Sequence, residues 1–213
     1  YLISLVNGER TFSYWRNNSA ATLLGQNIND VENALKKQDM IYFSGITLAI
    51  LDPSSRNNLF SCLKSARRAG KKIAFDPNLR PKLWSDKKEM CDVIMAGANL
   101  SDIILPSFDD EATWFSDANP MATLKRYQKV GAEIVVVKNA GEPVSFISNQ
   151  GIGTHPVQSI GTVVDSTAAG DSFNSEILVG VLRKIPLSEA ISNGANLAKK
   201  VIMGHGALIK SDI

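Results

Sequence analysis

The sequence has little cysteine and histidine and no long hydrophobic run. Two cysteines (Cys62, Cys91) and two histidines (His155, His205) occur among 213 residues. A disulfide framework and a four-ligand zinc site are therefore not expected, and the low cysteine content favours the reducing cytoplasm. No stretch approaches the roughly 20 apolar residues that a membrane-spanning helix needs. We expect a cytoplasmic protein with no membrane partner.

An excess of either charge is also absent. The chain has 23 Lys and Arg against 21 Asp and Glu, which gives a formal net charge of +2. Nucleic-acid binding requires a strongly basic face, so we expect no DNA or RNA partner. The phosphate-binding motif GxxxxGK[ST] does not occur, so a bound nucleotide would depend on another kind of phosphate site. The 44% hydrophobic and 21% charged residues are typical of a globular domain.

Short apolar runs alternate with segments of helical periodicity, which predicts an α/β sandwich with parallel strands and right-handed crossovers. Residues 1–15 alternate like a strand pair with Asn7 and Gly8 at the turn. Residues 17–29 are expected to form a polar loop and 151–153 the turn of a hairpin. The further predicted strands are 41–45, 72–75, 102–105, 134–137, 144–148 and 157–160. The predicted helices are 52–70, 86–97, 121–130, 167–182 and 187–203.

The segment VVDSTAAGDSF, residues 163–173, carries the clearest chemical signal. Ala168, Ala169 and Gly170 leave the main chain accessible just where a helix is expected to begin, and the free amide groups of a first helical turn attract anions. Asp171 would stand beside this anion hole as a general base for an attacking hydroxyl. The alternative is that Ser166 or Thr167 caps the helix and that Asp171 only complements the helix dipole.

Residues 165–173 resemble the signature DTTGAGDxF of the ribokinase-like PfkB carbohydrate kinase family. They differ from it at Ser166 and at Ala168, where alanine costs roughly 1 kcal/mol more than glycine if the position needs a positive φ. The resemblance implies a ribokinase-like three-layer α/β/α sandwich with a mostly parallel central sheet and the remnant of a small β lid. Residues 1–25 would be the partial lid and 26–213 the kinase domain. It also implies that Asp171 is the catalytic base and that the backbone at 168–170 stabilises the transferred phosphoryl group.

Residues 12–21 and 75–84 are similar to their counterparts in 2-keto-3-deoxygluconate kinases. The resemblance implies that Tyr14 and Arg16 bind the substrate from the lid, and that Arg80 binds it from a loop after a strand, together with Asp171. Guanidinium groups suit the carboxylate of a sugar acid, because they offer paired donors. Alternatively, both arginines are surface residues with ordinary salt-bridge partners.

The same resemblance implies a nucleotide site for ATP and Mg²⁺. Residues 105–115 are similar to the family's NxxE region, with Ser107 at the Asn position and either Asp110 or Glu111 acting on the metal indirectly; a solvated acidic helix start is the alternative. The residues implied to bind the nucleotide are Asn78, Arg80, Ser107, Lys138, Gly141 and Asn196. Lys138 could equally be a strand-end lysine in water, and Asn196 a polar residue on a helix face.

The resemblance, together with the two arginines, implies ATP-dependent phosphorylation of 2-keto-3-deoxygluconate at its 6-hydroxyl, giving 2-keto-3-deoxy-6-phosphogluconate. A kinase of a neutral sugar such as fructose or ribose, and a non-catalytic nucleotide- or sugar-binding homologue, remain as alternatives. Family members are longer and begin with a strand and a glycine-rich substrate motif, so we expect this chain to be N-terminally truncated and less stable, with inactivity of the truncated chain as an open alternative. The resemblance also implies a homo-oligomer formed through the lid.

Overall fold

The computed structural model describes residues 2–6, 9–13, 19–158 and 163–208. The chain divides into two compact units, Tyr1–Ser101 and Asp102–Ile213. None of the helices in the described part of the chain combines the length and the apolar character needed to cross a bilayer.

The first unit combines an antiparallel strand pair with an α/β arrangement. Its helices and strands, in chain order, are β1 (Leu2–Val6), β2 (Glu9–Ser13), α1 (Ile28–Lys36), β3 (Met40–Ser44), α2 (Gly45–Ile50), α3 (Pro53–Arg68), β4 (Lys72–Asp76) and α4 (Lys87–Asn99). β1 pairs with β2, which confirms the strand pair expected at the start; its turn at Asn7 and Gly8 lies outside the described residues. β3 and β4 are parallel, with Ser44 opposite Asp76.

α3 illustrates how the local sequence defines an element. The Asp52 carboxylate caps the helix by accepting hydrogen bonds from the amides of Ser54 and Ser55 at 2.9 and 3.0 Å. Pro53 occupies the first turn, where its missing N–H costs nothing. The chain leaves the helix at Gly70, whose φ of +83° suits glycine. The predicted helix is confirmed.

The second unit contains a mixed set of strands. Its elements, in chain order, are β5 (Ile103–Ile104), α5 (Phe108–Phe115), α6 (Pro120–Lys129), β6 (Ile134–Val137), β7 (Val144–Ser148), β8 (Gly151–His155), α7 (Ala169–Leu182) and α8 (Leu187–Ile202). β5 and β6 are parallel, whereas the pairs β6–β7 and β7–β8 are antiparallel. Val135, Val136 and Val137 are fully buried, as expected for the most β-branched run of the chain. The α/β class is confirmed.

Three expectations about individual elements are wrong. Part of the predicted loop 17–29, from Ile28 onwards, belongs to helix α1, capped by the Asn27 side chain, which accepts from the amide of Asn29 at 3.1 Å. Residues 151–153 belong to strand β8, so the turn expected there is wrong, but the hairpin is present, since β7 and β8 pair antiparallel. Val157 and Gln158 lie outside any strand, and the rest of the predicted strand 157–160 lies outside the described residues.

Candidate active site

The loop before α7 is held by a buried aspartate. The Asp165 side chain accepts hydrogen bonds from the amides of Thr167 at 2.8 Å and Gly206 at 2.9 Å. The amides of Val164 and Asp165 donate to the carbonyl of Ile202 at the end of α8, at 2.8 and 3.1 Å. Four hydrogen bonds therefore fix the course of the chain just before the helix begins.

Helix α7 begins without a side-chain cap. Its N-cap residue is Ala168, in the left-handed conformation with φ 61° and ψ 11°. The suggestion that Ser166 or Thr167 caps the helix is therefore wrong. The Ala169 amide donates to the Ser166 carbonyl at 3.3 Å. The amides of Gly170 and Asp171 follow in the first turn, where amides have no partner within the helix. Asp171 itself is exposed to solvent.

A cavity of about 500 Å³ opens beside this first turn, and all of its lining residues belong to the second unit. The start of α5, the loop after β6, the start of α7 and one face of α8 contribute to its walls. Six of the residues singled out from the sequence line it: Ser107, Lys138, Gly141, Ala169, Gly170 and Asn196. Ala168 and Asp171 flank Ala169 and Gly170 in the chain, and Phe173 of α7 lines the cavity as well.

Lys138 stands at the carboxyl end of β6 and is fixed through its backbone. Its amide donates to the Pro106 carbonyl at 2.9 Å, and its carbonyl accepts from the Phe108 amide at 2.8 Å. Its ammonium donates to the Asn174 Oδ1 atom at 2.9 Å. A Cβ atom built on Gly170 would lie 3.9 Å from the Lys138 Nζ atom. The cation therefore lies close to the first turn of α7.

The two carboxylates considered for the metal differ from each other. Glu111 is fully buried, and its carboxylate accepts from Arg126 at 2.5 Å and from the Tyr127 hydroxyl at 3.0 Å. Burial raises the pKa of Glu111 from 4.5 to about 7. Asp110 is half-buried on the same helix. The acidic residue of α5 that lines the cavity is Asp109, which the sequence reasoning did not single out.

The chemistry of the cavity fits a magnesium nucleotide. It offers a lysine ammonium and accessible main-chain amides for phosphate oxygens, an apolar wall that includes Phe173 and Ile202, and the Asp109 carboxylate. Mg²⁺ is commonly held by one or two carboxylates together with substrate phosphates and water, so a single carboxylate meets its needs. Among the described residues, no group of three or more potential metal ligands occurs.

The loop that carries Asn78 and Arg80 belongs to the first unit and directly follows β4. Both residues have positive φ angles, 31° and 47°. The Asn78 amide donates to the buried Asp76 carboxylate at 3.2 Å, and the Trp84 indole N–H donates to the Leu79 carbonyl at 2.8 Å. The Arg80 side chain is exposed. Non-glycine residues with positive φ are uncommon and concentrate at functional sites.

Tyr14 and Arg16, expected to contact the substrate, lie outside the described residues. Three residues that shape the second-unit site were given no role from the sequence: Asp109, Asp165 and Asn174. Asp165 had two local signals, because it is the first residue of the signature and lies two residues before Thr167, which is the spacing of a side-chain turn. Asn174 had a signal too, since it lies one helical turn after Gly170 and so shares its face.

Comparison with known proteins supports one family. The family described as "pfkB family carbohydrate kinase" matches this chain over residues 1–213. A 2-dehydro-3-deoxygluconokinase of Haemophilus influenzae is 40% identical, and one of Escherichia coli K12 is 35% identical, each over 98% of this chain. The chain spans 68% and 69% of the lengths of these two relatives.

Solved structures agree with the sequence matches. A PfkB protein from Polaromonas has a TM-score of 0.81 at 26% identity; the match covers 95% of this chain and 66% of that one. Aminoimidazole riboside kinase from Salmonella enterica, crystallised with aminoimidazole riboside and an ATP analogue, has a TM-score of 0.69 at 26% identity. That match covers 79% of this chain and 57% of the other. The ribokinase-like α/β fold inferred from the sequence is confirmed.

Proposed function

The chain belongs to the pfkB family of carbohydrate kinases, and from this premise we propose that it phosphorylates 2-keto-3-deoxygluconate at the 6-hydroxyl with ATP as the phosphoryl donor. The substrate assignment is supported by the 40% and 35% identity to relatives named for this activity. The observation that carries the proposed chemistry is the first turn of α7, where Gly170 lines the cavity and the Asp171 carboxylate follows it.

In the proposed reaction, the Asp171 carboxylate accepts the proton of the 6-hydroxyl as its oxygen attacks the γ-phosphorus of ATP. The bond from the γ-phosphorus to the bridging oxygen breaks, and ADP leaves with that electron pair. The amides of Gly170 and Asp171 and the Lys138 ammonium would stabilise negative charge on the transferred group. Positioning and charge stabilisation account for most of the catalysis in phosphoryl transfer, so a rigid first turn is a suitable device.

Mg²⁺, when bound with ATP, neutralises charge on the β- and γ-phosphates. We propose Asp109 and Ser107 as the residues that hold the magnesium nucleotide from α5, because both line the cavity. Asp110 keeps an indirect role in the proposal. Glu111 is better explained as a structural residue, since its carboxylate already accepts hydrogen bonds from Arg126 and Tyr127. Gly141 and Asn196 complete the proposed nucleotide site.

The assignment of an acidic substrate depends on arginine residues of this chain. The Arg80 side chain is exposed and its backbone is held in a strained loop, as suits a side chain that must meet a ligand in one orientation. Arg16 and Tyr14 are proposed to bind the sugar acid as well, and Asn78 and Arg80 to approach the nucleotide. A cytoplasmic location and self-association through the lid remain part of the proposal, supported by the low cysteine content and by the resemblance respectively.

The decisive variant is Asp171→Asn, which keeps the shape of the side chain but removes its basicity. We expect kcat to fall by about 10²- to 10⁴-fold, the usual contribution of a general base, while the affinity for an ATP analogue stays within about threefold. Glu176→Gln on the same helix is the matched control and should keep the kcat of the unmodified protein.

A kcat of Asp171→Asn close to that of the unmodified protein would remove Asp171 from the role of base. A panel of 2-keto-3-deoxygluconate, fructose and ribose tests the substrate. Preference for a neutral sugar would contradict the sugar-acid assignment, and nucleotide binding without phosphate transfer to any of them would favour a non-catalytic homologue.

A further inference from the structure

Asn174 is a polar side chain in a nearly closed environment. Its exposed fraction is 1%, and it lies in α7 four residues after Gly170, on the same face of the helix. Its Oδ1 atom accepts a hydrogen bond from the Lys138 ammonium at 2.9 Å. A buried amide is costly unless its polar atoms are bonded, so the contact with Lys138 helps to explain an asparagine here.

The place of the Lys138 ammonium is electrostatically unusual. It lies close to Gly170, in the first turn of a 14-residue helix. The N-terminus of a helix carries partial positive charge and normally attracts acidic side chains; a cation there is unfavourable by itself. The helix terminus and the ammonium would both be stabilised by an anion between them, and both border the same cavity.

A lysine side chain is flexible, and fixing it in one orientation costs rotamer entropy. A hydrogen bond that the ammonium donates to a buried acceptor offsets part of that loss before a ligand binds. The partner here is a neutral amide, which orients the ammonium without cancelling its charge. A carboxylate in the same place would form an ion pair with Lys138 and weaken the attraction for an anion.

From these observations, and resting on the function proposed above, we infer that Asn174 is a positioning residue that aims the Lys138 ammonium at the phosphate chain of the bound nucleotide. It does not touch the nucleotide itself. Its effect should therefore require both the phosphates of the ligand and the ammonium of Lys138.

The test compares two ligands and a cycle of variants. Binding of a non-hydrolysable ATP analogue and of adenosine, which has no phosphate, is measured by calorimetry for Asn174→Leu, Lys138→Met and the double variant. We expect Asn174→Leu to weaken the binding of the ATP analogue about tenfold and the binding of adenosine by less than twofold. Lys138→Met should weaken the analogue at least as much, and the double variant should be no weaker than Lys138→Met alone.

Asn174→Asp provides an isosteric second variant in case the leucine variant does not fold. It should weaken the ATP analogue at least fivefold, because the added carboxylate neutralises Lys138. Asn193→Asp is its matched control: it adds the same charge at an exposed site on α8 and should change the affinity by less than twofold. In the kinase assay, the KM for ATP should rise in Asn174→Asp while the KM for the sugar stays unchanged.

The inference would be overturned if Asn174→Leu weakened the binding of adenosine and of the ATP analogue equally. It would also be overturned if the fold-loss of affinity in the double variant equalled the product of the two single losses. In either case Asn174 would act through general packing. An unchanged affinity in both Asn174 variants would overturn it as well. Failure of the unmodified protein to bind the ATP analogue is a separate result: it would contradict the proposed function and, with it, this inference.

Discussion

Ala168 is the residue at which the sequence departs from the glycine-rich form of its motif. It adopts φ 61°, in the left-handed region that favours glycine. A methyl group at this position therefore costs free energy in the folded state. The loop still forms, because Asp165 and the end of α8 hold the preceding residues by hydrogen bonds.

The variant Ala168→Gly should be more stable than the unmodified protein. Relief of the left-handed strain gains about 1–2 kcal/mol, and the greater freedom of glycine in the unfolded chain takes back about 0.4–1 kcal/mol. We expect a net rise of up to about 1 kcal/mol in the free energy of unfolding, measured with urea. Ala169→Gly is the control: this alanine is helical, so its replacement should lower stability. A loss of stability in Ala168→Gly equal to that control would contradict the strain argument.

At the scale of elements, the loop from β4 to α4 combines strain with support. Asn78 and Arg80 have positive φ angles, and the Trp84 indole bonds to the Leu79 carbonyl. The Arg56 guanidinium lies 5.2 Å from the centre of the Trp84 ring. Arg56 also donates to the carbonyls of Leu48 and Leu51 and to Glu89, all within the first unit. The loop is thus tied to α2, α3 and α4.

Trp84→Phe tests whether this support serves the side chain of Arg80. Phenylalanine keeps an aromatic ring near Arg56 but loses the N–H donor, so the free energy of unfolding should fall by about 1 kcal/mol. We expect kcat/KM for the sugar acid to fall about tenfold, in the same direction as for Arg80→Ala. Trp114→Phe in α5 is the control and should have a smaller effect on kcat/KM. An unchanged kcat/KM in Trp84→Phe would show that the indole stabilises the fold alone.

Some elements could be predicted from local sequence and others could not. The helix from Pro53 had an N-cap, a proline and a closing glycine, and the strand from Ile134 was strongly β-branched, so both were found. Helix α2 has no side-chain cap, and a Cβ atom on its Gly45 would lie 1.8 Å from the Pro77 carbonyl oxygen. The need for that glycine comes from a contact distant in sequence, which no local pattern reveals.

Strand β8 was missed for a similar reason. Its two glycines suggested a turn, but Gly153 lies opposite Phe146, and a Cβ atom there would come within 2.7 Å of the phenyl ring. Glycine thus makes room for a cross-strand aromatic side chain. The pattern of one segment cannot show this, because the reason for the glycine lies on the neighbouring strand.

At the scale of the whole molecule, some features of the candidate site could be predicted from the sequence and others could not. The motif around Asp171 is contiguous in the chain, so its chemistry could be predicted from the sequence. The contact of Lys138 with Asn174 joins residues 36 apart, and that of Asp165 with Gly206 joins residues 41 apart. Such pairings depend on the complete fold of the second unit, and single-sequence reasoning had no means to find them.

Another contact between residues distant in sequence joins α5 to α6, and it makes the stability of the protein depend on pH. The Glu111 carboxylate accepts from Arg126 and Tyr127, and Arg126 also pairs with Asp117 at 2.6 Å. The Arg126 guanidinium lies 3.9 Å from the centre of the Phe115 ring. Burial raises the pKa of Glu111, and Arg126 lowers it because the guanidinium favours the charged form. Burial is the larger of the two effects, so the pKa rises to about 7. Folding therefore promotes proton uptake at Glu111 near neutral pH.

The free energy of unfolding should consequently fall as pH rises from about 5 to 7. A carboxyl group with a pKa of 4.5 in the unfolded chain and about 7 in the folded one stabilises the fold fully below pH 4.5, and this contribution is lost through pH 7. The loss approaches about 3 kcal/mol, since each pH unit in that window is worth about 1.4 kcal/mol. Urea unfolding at pH 5, 6, 7 and 8 measures it. Glu111→Gln should flatten the curve, whereas Glu142→Gln, an exposed control, should leave it unchanged. Parallel curves for the unmodified protein and Glu111→Gln would mean that Glu111 stays ionised beside Arg126 throughout this range.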